Sequence, residues 1–321
     1  MQIWAITGGR RGNDVLVEGV AEALGGDCRL IHAHLNRPYR WLAPYRPAVW
    51  GVAQDRQIAP PWPDLVLASG RQAVPHARYI RRAANGKTFV AFLQDPKISA
   101  KNFDFVWAPC HDQMTDPSVM QTILSPHGLT AEIIAEAAAQ WRARLIPPAV
   151  AQAQRKIVTV TIGGPSQAYR FDPATMTDLA QKLAALTQHG CFLLITLSRR
   201  SPAAYAAILR QHIDPQDGFI WDNQGDNPYR AMLGLADHFI VTADSANMVG
   251  EACLAGKPVQ VFALPGGSAK FARFHASLQR DDFVRPFTGV LQDWPCTPQN
   301  ATPEIAAAIA AAMQKKAKTS E

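Results

Sequence analysis

The chain has 321 residues, of which 48% are hydrophobic and 18% are charged, and its formal net charge is +6 at pH 7. This length allows two domains of ordinary size, and the composition is that of a globular protein that folds in water. The charge favours an anionic ligand or an acidic membrane surface. Because the sequence has no aromatic-rich basic module, a nucleic-acid partner is not expected.

The cysteines and the first residues of the chain bear on disulfides, metal sites and cellular location. The five cysteines are odd in number and widely spaced, which indicates reduced thiols rather than disulfides or a zinc site. The chain enters a strand at its first residues without a signal-peptide pattern, and no segment reaches the roughly 20 apolar residues that span a bilayer. We therefore expect a cytoplasmic protein that binds no metal.

Short apolar runs alternate with helical patterns, which is typical of parallel sheets covered by helices. An insertion at 36–63, rich in proline and tryptophan, interrupts this order, and a double proline at 147–148 predicts a domain boundary. The first half predicts strands at 2–7, 29–33, 65–69, 88–94 and 105–108, with helices at 15–24, 73–84 and 131–144.

The second half repeats the alternation more regularly. It predicts strands at 156–162, 191–197, 219–221, 238–242 and 259–262, with helices at 174–188, 203–211, 228–235 and 246–255. A last helix at 301–313 precedes a polar end at 315–321 that is expected to fray. The predicted fold class is α/β, with two Rossmann-like doubly wound domains at 1–148 and 149–300 and a C-terminal helix and tail at 301–321.

Three loops that follow strands of the second domain are suited to an anion. One has two glycines that allow close backbone approach, one has two arginines, and one begins a helix whose N–H groups face an anion. Each loop alone is also compatible with an ordinary turn, a solvated arginine pair or a capped helix, but together they predict a nucleotide-diphosphate site. A fourth loop, at 221–229, is compatible with base recognition and equally with a plain turn, because Asp, Asn and Gly are common turn residues. The predicted donor residues are Gly163, Gly164, Ser198, Arg199, Arg200, Trp221, Asn227, Thr242, Asp244, Ser245, Asn247, Met248 and Glu251.

The first domain has its own glycine-rich loop at 8–13. It lacks the G-x-G-x-x-G spacing of NAD-binding domains and the Gly-Lys-Ser/Thr of a P-loop, so we reject a dehydrogenase and a P-loop NTPase. Its arginines are predicted to face the diphosphate or an acidic acceptor. The residues predicted on this acceptor side are Gly9, Arg10, Arg11, Asn13, Ser69, Gly70, Arg71 and Gln94.

Candidate proton-transfer groups follow two later strands of the first domain. Asp95 follows the strand at 88–94, and His111 and Asp112 follow the strand at 105–108. Carboxylates and imidazoles are the usual groups for this chemistry, although a helix cap or a surface ion pair is the alternative for each. We predict that Asp95, ahead of His111, takes the acceptor proton.

Motifs along nearly the whole chain match one known family. In chain order they are GGRRGN at 8–13, SGR at 69–71, QDP at 94–96, HD at 111–112, IGG at 162–164, TLSRRSP at 196–202, NPY at 227–229, LAD at 235–237 and VTADSANMVGEACLAGKPV at 241–259. On these motifs the chain resembles the bacterial branch of the ELM-type (elongated mitochondria) mitochondrial fission family. That family is similar to GT-B glycosyltransferases, such as the peptidoglycan N-acetylglucosaminyltransferase, and to UDP-sugar 2-epimerases.

The resemblance implies two Rossmann-like domains that face each other across a cleft, with a nucleotide-sugar donor on the second domain and the acceptor on the first. It implies that Asp244 and Ser245 lie at the diphosphate-binding helix and that Glu251 is the ribose ligand. Two departures matter. The glycine-rich loop lacks the histidine of the peptidoglycan enzyme, and the carboxylate and histidine set of the epimerases is not matched, which makes epimerase chemistry doubtful.

The leading hypothesis is a glycosyltransferase that is independent of metals and cofactors. It moves a sugar from a nucleoside diphosphate, with UDP favoured, to a bacterial cell-envelope glycan or a lipid-linked acceptor. Arg199, Arg200 and the helix dipole at Ser245 would meet the charge of the leaving group.

The rival hypothesis is a non-catalytic scaffold of the fission-factor type, which recruits a protein partner through Trp41, Trp50 and Trp62 of the insertion. Peripheral contact with the inner membrane is also left open. A solvated helix face is the preferred interpretation of the basic residues that would make this contact, although an acidic lipid surface would suit them too. These residues are Arg78, Arg81, Arg82, Lys97 and Lys101.

Overall fold

The computed structural model describes residues 1–45, 49–52 and 55–320. They form two compact units, and each unit contains a six-stranded sheet in which every described strand pairing is parallel. The first unit comprises Met1–Gly128 and Ala301–Glu321, and the second comprises Leu129–Asn300. The predicted α/β class with two Rossmann-like units is confirmed.

The sheet of the first unit turns back at its first strand. Its strands are β1 Gln2–Thr7, β2 Asp27–His32, β3 Leu65–Ser69, β4 Phe89–Leu93, β5 Phe105–Pro109 and β6 Met120–Thr122. They lie in the order β2-β1-β3-β4-β5-β6, so the chain moves from β1 to one edge and then to the other. The loops after β1 and β3 therefore flank the topological switch point, where open parallel sheets bind ligands.

Two helices, α1 Arg11–Ala23 and α3 Ala73–Ala83, pack on the strands of the first unit. A short helix between them, α2 Tyr39–Leu42, has no buried residue. Strands β3 and β4 are buried along their whole length, as expected for strands with helices on both faces. The short helix α2 lies in the proline-rich insertion.

The second unit has the strand order of a dinucleotide-binding fold. Its strands are β7 Lys156–Ile162, β8 Cys191–Leu197, β9 Gly218–Trp221, β10 His238–Thr242, β11 Val259–Phe262 and β12 Arg285–Pro286. Its helices are α4 Ala131–Leu145, α5 Pro148–Gln152, α6 Pro173–Gln188, α7 Ala204–His212, α8 Tyr229–Leu235, α9 Ala246–Cys253 and α10 Ala269–Arg280. The order β12-β11-β10-β7-β8-β9 places the switch point between β7 and β10.

The C-terminal helix, α11 Thr302–Ser320, belongs to the first unit. Its first residue, Thr302, accepts a hydrogen bond from the His127 amide and donates one to the His127 carbonyl, each at 2.8 Å. Further along, the Lys316 ammonium lies 3.1 Å from a carboxylate oxygen of Asp104. Because of this anchor the helix continues beyond the predicted end, and the expected fraying from 315 onward is wrong up to Ser320.

The second unit begins earlier than the predicted boundary at 148, because α4 packs against α8. A Cβ atom on Gly234 of α8 would lie 2.2 Å from the carbonyl oxygen of Ile134, so the two helices touch through their backbones. The double proline does not separate domains. Pro147 precedes α5 and Pro148 is its first residue, a position where a missing N–H is tolerated.

The insertion divides its aromatic residues between the core and the surface. Trp62 is half-buried and packs edge-on against Trp4 and Tyr79, with ring centroids 6.1 and 6.4 Å away, so much of its ring is withdrawn from the predicted contact surface. Trp41 and Trp50 are 63% and 69% exposed. Within the described residues, no helix combines the length and the apolar character needed to cross a membrane.

Candidate functional site

Two loops at the switch point of the second unit are joined by one buried carboxylate. Asp244 follows β10, and its side chain is 0% exposed. One oxygen accepts a hydrogen bond from the Thr242 hydroxyl at 2.7 Å. The other accepts from the Gly164 amide at 3.0 Å and from the Arg200 guanidinium at 2.7 Å. Asp244 thus ties together the loops that follow β7, β8 and β10.

The Gly163-Gly164 pair is required by this packing. A Cβ on Gly163 would lie 2.0 Å from a carboxylate oxygen of Asp244, and one on Gly164 would lie 2.3 Å from the Arg200 carbonyl oxygen. The Gly163 amide donates to the Thr242 hydroxyl at 2.8 Å. The glycines therefore hold the loop close to Asp244.

The two arginines after β8 have different surroundings. Arg200 donates to the Gly164 carbonyl at 3.2 Å in addition to Asp244, although 45% of its side chain is exposed. Arg199 is exposed. The Ser201 hydroxyl fixes the loop by donating to the Gly163 carbonyl at 2.6 Å. The hydroxyl oxygens of Ser198 and Ser201 lie 3.1 Å apart. A ligand at this loop would meet the Arg199 side chain in solvent.

Helix α9 starts at this edge. Its N-cap residue, Ser245, accepts from the Met248 amide at 3.4 Å, the usual arrangement of a capping serine. Asn247 is exposed in the first turn and Met248 is half-buried. The helix dipole at this end favours an anion.

Glu251, two turns into α9, accepts a hydrogen bond from the hydroxyl of Tyr229. Burial and the charge of Glu251 raise the pKa of Tyr229 well above its usual value, so the phenol keeps its proton. Two further predicted donor residues precede α8: Trp221 is the last residue of β9, and Asn227 lies in the loop that follows it. The Trp221 indole is half-buried and donates to the Gln224 carbonyl at 2.8 Å, while Asn227 is exposed and its amide oxygen accepts from the Tyr229 amide at 2.9 Å.

The sequence did not identify the loop that follows β11. Gly266 and Gly267 have φ values of +100° and +105°, which favour glycine, and the Gly267 amide donates to the Ala168 carbonyl at 2.6 Å. The buried ring of Tyr169 packs edge-on against Phe271 of α10, with ring centroids 5.0 Å apart. This loop and α10 therefore pack against the loop that follows Gly164.

His275 of α10 contacts the site directly. Its Nε2 lies 2.9 Å from the carbonyl oxygen of Ala243, next to Asp244. Burial lowers the pKa of His275, and the contact with this carbonyl opposes the shift. The signal for this part of the site was the Gly-Gly-Ser sequence ahead of a helical pattern, which the strand and helix assignments passed over.

The first unit has a basic pocket at its own switch point. The pocket has a volume of about 480 Å³. It is lined by Gly8, Arg10, Asn13, Arg40, Gly70, Arg71, Gln72 and Gln94. Most of the predicted acceptor-side residues are thus brought together, and the structure adds Arg40 from the insertion. Arg11 lies outside this lining and pairs with Glu18 at 3.0 Å.

The loops around this pocket are held by side-chain amides. Gln94 donates to the Asn13 amide oxygen at 3.2 Å, and its φ of +124° is rare for a residue other than glycine. Gly70 has a φ of +89°, and a Cβ there would lie 2.5 Å from the Asn13 amide nitrogen. Ser69 is buried at the end of β3. Strained backbone of this kind clusters at binding sites.

A histidine and a buried aspartate lie beside the same loop. Asp14 of α1 accepts a hydrogen bond from the Thr7 hydroxyl at 2.5 Å, and its oxygen lies 3.5 Å from Nε2 of His32. His32 is 52% exposed at the end of β2, whereas the Asp14 side chain is 8% exposed. A Cβ on Gly9 would lie 3.9 Å from Nδ1 of His32. No sequence motif pointed to this pair.

The three predicted proton-transfer residues follow neighbouring strands. Asp95 accepts hydrogen bonds from Lys97, from its amide at 2.8 Å and from its ammonium at 2.6 Å. The hydrogen bond from Asp95 raises the pKa of Lys97, burial opposes this, and the charges of Asp95 and Asp112 add to it. His111 is buried in the turn after β5 and Asp112 is half-buried. The charges of Asp95 and Asp112 therefore both act on Lys97, and His111 is buried at the same edge of the sheet.

A larger groove, of about 980 Å³, runs beside the C-terminal half of α3. Its lining includes Trp50, Arg78, Arg81 and Arg82. Arg81 forms an ion pair with Asp104 at 3.0 Å. This end of α3 leads into β4, so the groove lies at the amino-terminal edge of the sheet, away from the switch point. Lys97 and Lys101, also predicted on this basic face, are exposed.

The described histidine, cysteine, aspartate and glutamate residues form no group of three or more that could hold a metal ion. Each cysteine is a free thiol. What the described side chains and helix ends offer at both switch points is positive charge and hydrogen-bond donors. Positive charge and donors of this kind favour negatively charged groups such as phosphate.

Solved structures with the same fold include UDP-sugar enzymes. The chain is 11% identical to a UDP-GlcNAc 2-epimerase from Methanocaldococcus jannaschii, with a TM-score of 0.57 over 97% of this chain and 100% of that one. It is 14% identical to MurG from Acinetobacter baumannii, with a TM-score of 0.52 over 98% of this chain and 92% of that one. These likenesses assign the fold to the GT-B type.

A curated relative shares more of the sequence. The mitochondrial fission protein ELM1 of Arabidopsis thaliana is 30% identical over 274 residues, which are 77% of this chain. They make up 63% of the plant protein, so the chain spans less than two thirds of that relative. The sequence profile described as mitochondrial fission ELM1 matches residues 11–313. The chain therefore belongs to the mitochondrial fission ELM1 family.

Proposed function

We propose that this protein is a glycosyltransferase that uses a UDP-sugar bound by its second unit and an acceptor bound by its first. The observation that carries the proposal is the convergence of the loops after β7, β8 and β10 at the switch point of the second unit, fixed by Asp244. Parallel sheets of this strand order bind nucleotides at that position. The acceptor is proposed to be a cell-envelope glycan or a lipid-linked molecule.

The donor diphosphate would meet a preformed cationic edge. Asp244 already accepts hydrogen bonds from protein groups, so its role is to hold Gly164 and Arg200 in place rather than to contact phosphate. Arg199, Arg200 and the first turn of α9 at Ser245 supply the positive charge. Because these groups would stabilise the leaving UDP, the transfer needs no metal ion. Glu251, held by Tyr229, is proposed to bind the ribose.

The proton of the acceptor hydroxyl needs a base in the first unit. Asp95 is engaged by Lys97, and His111 is buried. His32 is exposed and lies beside the pocket loop, and its Nε2 is 3.5 Å from the buried carboxylate of Asp14. An imidazole next to a carboxylate is suited to this task, so we favour His32 as the base over Asp95, His111 and Asp112.

Solved structures of the same fold support the choice of UDP as the donor nucleotide. The name of the Methanocaldococcus jannaschii protein states that it is a UDP-GlcNAc 2-epimerase, and its fold covers almost all of this chain. A Staphylococcus aureus protein of the same fold, with a TM-score of 0.50, is described in complex with UDP. We infer that UDP is the nucleotide of the donor here.

Thermal unfolding in the presence of nucleotides tests the donor assignment. UDP and UDP-GlcNAc should raise the midpoint and NAD should not, since a ligand that binds the folded state stabilises it. Calorimetry should show that Arg199→Ala with Arg200→Ala abolishes UDP binding, whereas Arg210→Ala, an exposed arginine of α7 paired with Asp222, retains it. Unchanged UDP affinity in the double variant would overturn the site assignment.

A second candidate function is the recruitment of a protein partner without catalysis. It is favoured by the exposure of three aromatic side chains of the insertion, Trp41, Tyr45 and Trp50, at 63%, 62% and 69%. Beside Trp50, the groove along α3 carries Arg78 and Arg82, which suits a partner segment that is acidic and apolar. The relative from Arabidopsis thaliana is named for mitochondrial fission, which agrees with a recruiting role.

Measuring the release of UDP from UDP-GlcNAc discriminates between these two functions. Incubation with UDP-GlcNAc and an envelope extract should release UDP if the protein is a transferase, and His32→Gln should abolish the release while UDP affinity is kept. If UDP-GlcNAc binds and no UDP is released with any extract, the recruiting function is supported. Peripheral contact at the cytoplasmic face of the inner membrane is part of the transferase proposal, and co-sedimentation with vesicles of anionic lipid measures it.

A further inference from the structure

Three arginines from separate segments line the pocket of the first unit. Arg10 follows β1, Arg71 follows β3, and Arg40 comes from α2 of the insertion. The Arg71 guanidinium donates to the Arg40 carbonyl at 3.5 Å, which links the insertion to the loop of the sheet. The pocket therefore depends on a segment that interrupts the regular strand and helix order.

These three arginines are not paired with carboxylates in the described part of the chain. Across the part of the chain that the structure describes, no carboxylate forms an ion pair with Arg10, Arg40 or Arg71, and no described lining residue is acidic. Other arginines nearby are neutralised, since Arg11 pairs with Glu18 at 3.0 Å and Arg81 pairs with Asp104 at 3.0 Å. Like charges gathered around one cavity repel each other, and a bound anion removes that cost.

The backbone around the pocket favours an anion as well. Helices α1 and α3 both begin there, and neither N-cap residue, Arg10 or Gln72, makes a side-chain capping hydrogen bond. The Asn13 amide donates to the Arg10 carbonyl at 2.8 Å, the Ala73 amide donates to the Gly70 carbonyl at 3.0 Å, and Pro75 has no N–H. Among the described residues, the first-turn amides left for a ligand are therefore those of Arg11, Gly12 and Val74. The forked guanidinium group matches phosphate oxygens in pairs, and arginine is favoured where phosphate is recognised.

We propose that Arg10, Arg40 and Arg71 bind the phosphate group of a phosphorylated ligand in the pocket of the first unit. The volume of about 480 Å³ exceeds that of a phosphate group, so it also admits a sugar or a head group attached to it. If the proposed function holds, on which this further assignment rests, the ligand is the acceptor, and the acceptor carries a phosphate ester or a diphosphate.

Calorimetry on the full chain tests the phosphate site with glucose 1-phosphate and pyrophosphate as probes, and glucose as the uncharged control. Both phosphorylated probes should bind and glucose should not. Arg40→Gln and Arg71→Gln should each weaken binding roughly 10- to 100-fold, the loss expected for a charged hydrogen bond. The matched control is Arg11→Gln, an arginine of the same loop that already has a carboxylate partner, and it should leave the affinity unchanged.

A separate variant distinguishes the two units. If the probes bind at the donor loops instead, Arg199→Ala with Arg200→Ala abolishes their binding and Arg40→Gln does not, and this result overturns the phosphate site of the first unit. If UDP fails to bind the second unit while glucose 1-phosphate still binds through Arg40 and Arg71, the phosphate site stands and the proposed function fails. The two failures are therefore told apart by one set of variants.

Vesicles identify the source of the phosphate group. Vesicles of phosphatidylcholine with phosphatidic acid are compared with vesicles of phosphatidylcholine alone. Co-sedimentation with phosphatidic acid that is lost in Arg40→Gln supports a lipid head group, and binding of glucose 1-phosphate alone supports a soluble sugar phosphate. Both outcomes support the phosphate site. Equal binding by wild type, Arg40→Gln and Arg11→Gln in every arm overturns it.

Discussion

The variant Asp244→Asn tests the connection between the three loops of the second unit. Both carboxylate oxygens accept hydrogen bonds, one from the Thr242 hydroxyl and the other from the Gly164 amide and the Arg200 guanidinium. An asparagine has a similar shape but brings an NH₂ group. Turned toward Gly164 and Arg200, that group faces two donors, and turned toward Thr242, it removes the acceptor to which that hydroxyl donates. The variant also leaves Arg200 without its opposite charge.

The size of the effect follows from the burial of the two partners. Removing one side of a buried ion pair costs about 3–5 kcal/mol, and leaving a buried polar group unsatisfied costs about 1–3 kcal/mol. The side chain of Asp244 is 0% exposed, but that of Arg200 is 45% exposed, so water compensates part of the loss. We therefore expect Asp244→Asn to destabilise the second unit by about 2–3 kcal/mol.

Hydrogen–deuterium exchange measures this loss within one unit, which matters because a chain of two units need not unfold in one step. The Gly163 and Gly164 amides should exchange roughly 30- to 140-fold faster in the variant. The control is Asp178→Asn, which breaks an exposed pair with Lys182 in α6 and should cost less than about 1 kcal/mol. Equal exchange rates in the two variants would refute the account of Asp244.

Three further outcomes follow from packing and burial. Gly163→Ala should lower the thermal midpoint measured by circular dichroism, since the added Cβ lies 2.0 Å from a carboxylate oxygen, whereas Gly8→Ala, with its nearest contact at 3.8 Å, should not. Burial lowers the pKa of His76, so the unfolded state takes up the proton first and stability falls as the pH drops below about 6.5, by at most about 1.4 kcal/mol per pH unit. In urea unfolding at pH 7.5 and 5.5, His76→Gln should reduce that loss. Trp62→Ala should destabilise the first unit by about 2–3 kcal/mol and Trp41→Ala by less than about 1 kcal/mol in urea unfolding, because Trp62 is packed and Trp41 is exposed.

Each of these outcomes has a plain contradiction. Equal midpoints for the two glycine variants would mean that the loop after β7 is not packed as described. A loss of stability at low pH that is the same with and without His76 would remove it as a source. Equal losses for the two tryptophan variants would contradict the division of the insertion into a core side and a surface side.

Strands buried on both faces were predictable from the sequence. The bounds of β1, β3, β7, β8 and β10 agree with the prediction, because each is a run of mostly apolar and β-branched residues that ends in glycine or polar residues. The elements that were missed have weaker patterns. Strands β6 and β12 have three and two residues, and α10 buries only Phe274 and Leu278 along its length.

For the candidate sites, the sequence predicted which loops take part, but not which side chains contact each other. The glycines and arginines after the strands could be placed at one sheet edge from the alternation alone. That Arg200 pairs with Asp244, or that Arg40 joins Arg71, depends on segments 44 and 31 residues apart. No local pattern reports such pairings, and the same holds for the contact of His32 with Asp14.

A crystal structure of the protein grown with UDP-GlcNAc would locate the donor directly. We expect the diphosphate at the first turn of α9, within reach of Arg199 and beside Gly164, with the ribose near Glu251. A nucleotide bound elsewhere, or none at a saturating concentration of UDP-GlcNAc, would contradict the proposal that the second unit of this chain binds a UDP-sugar.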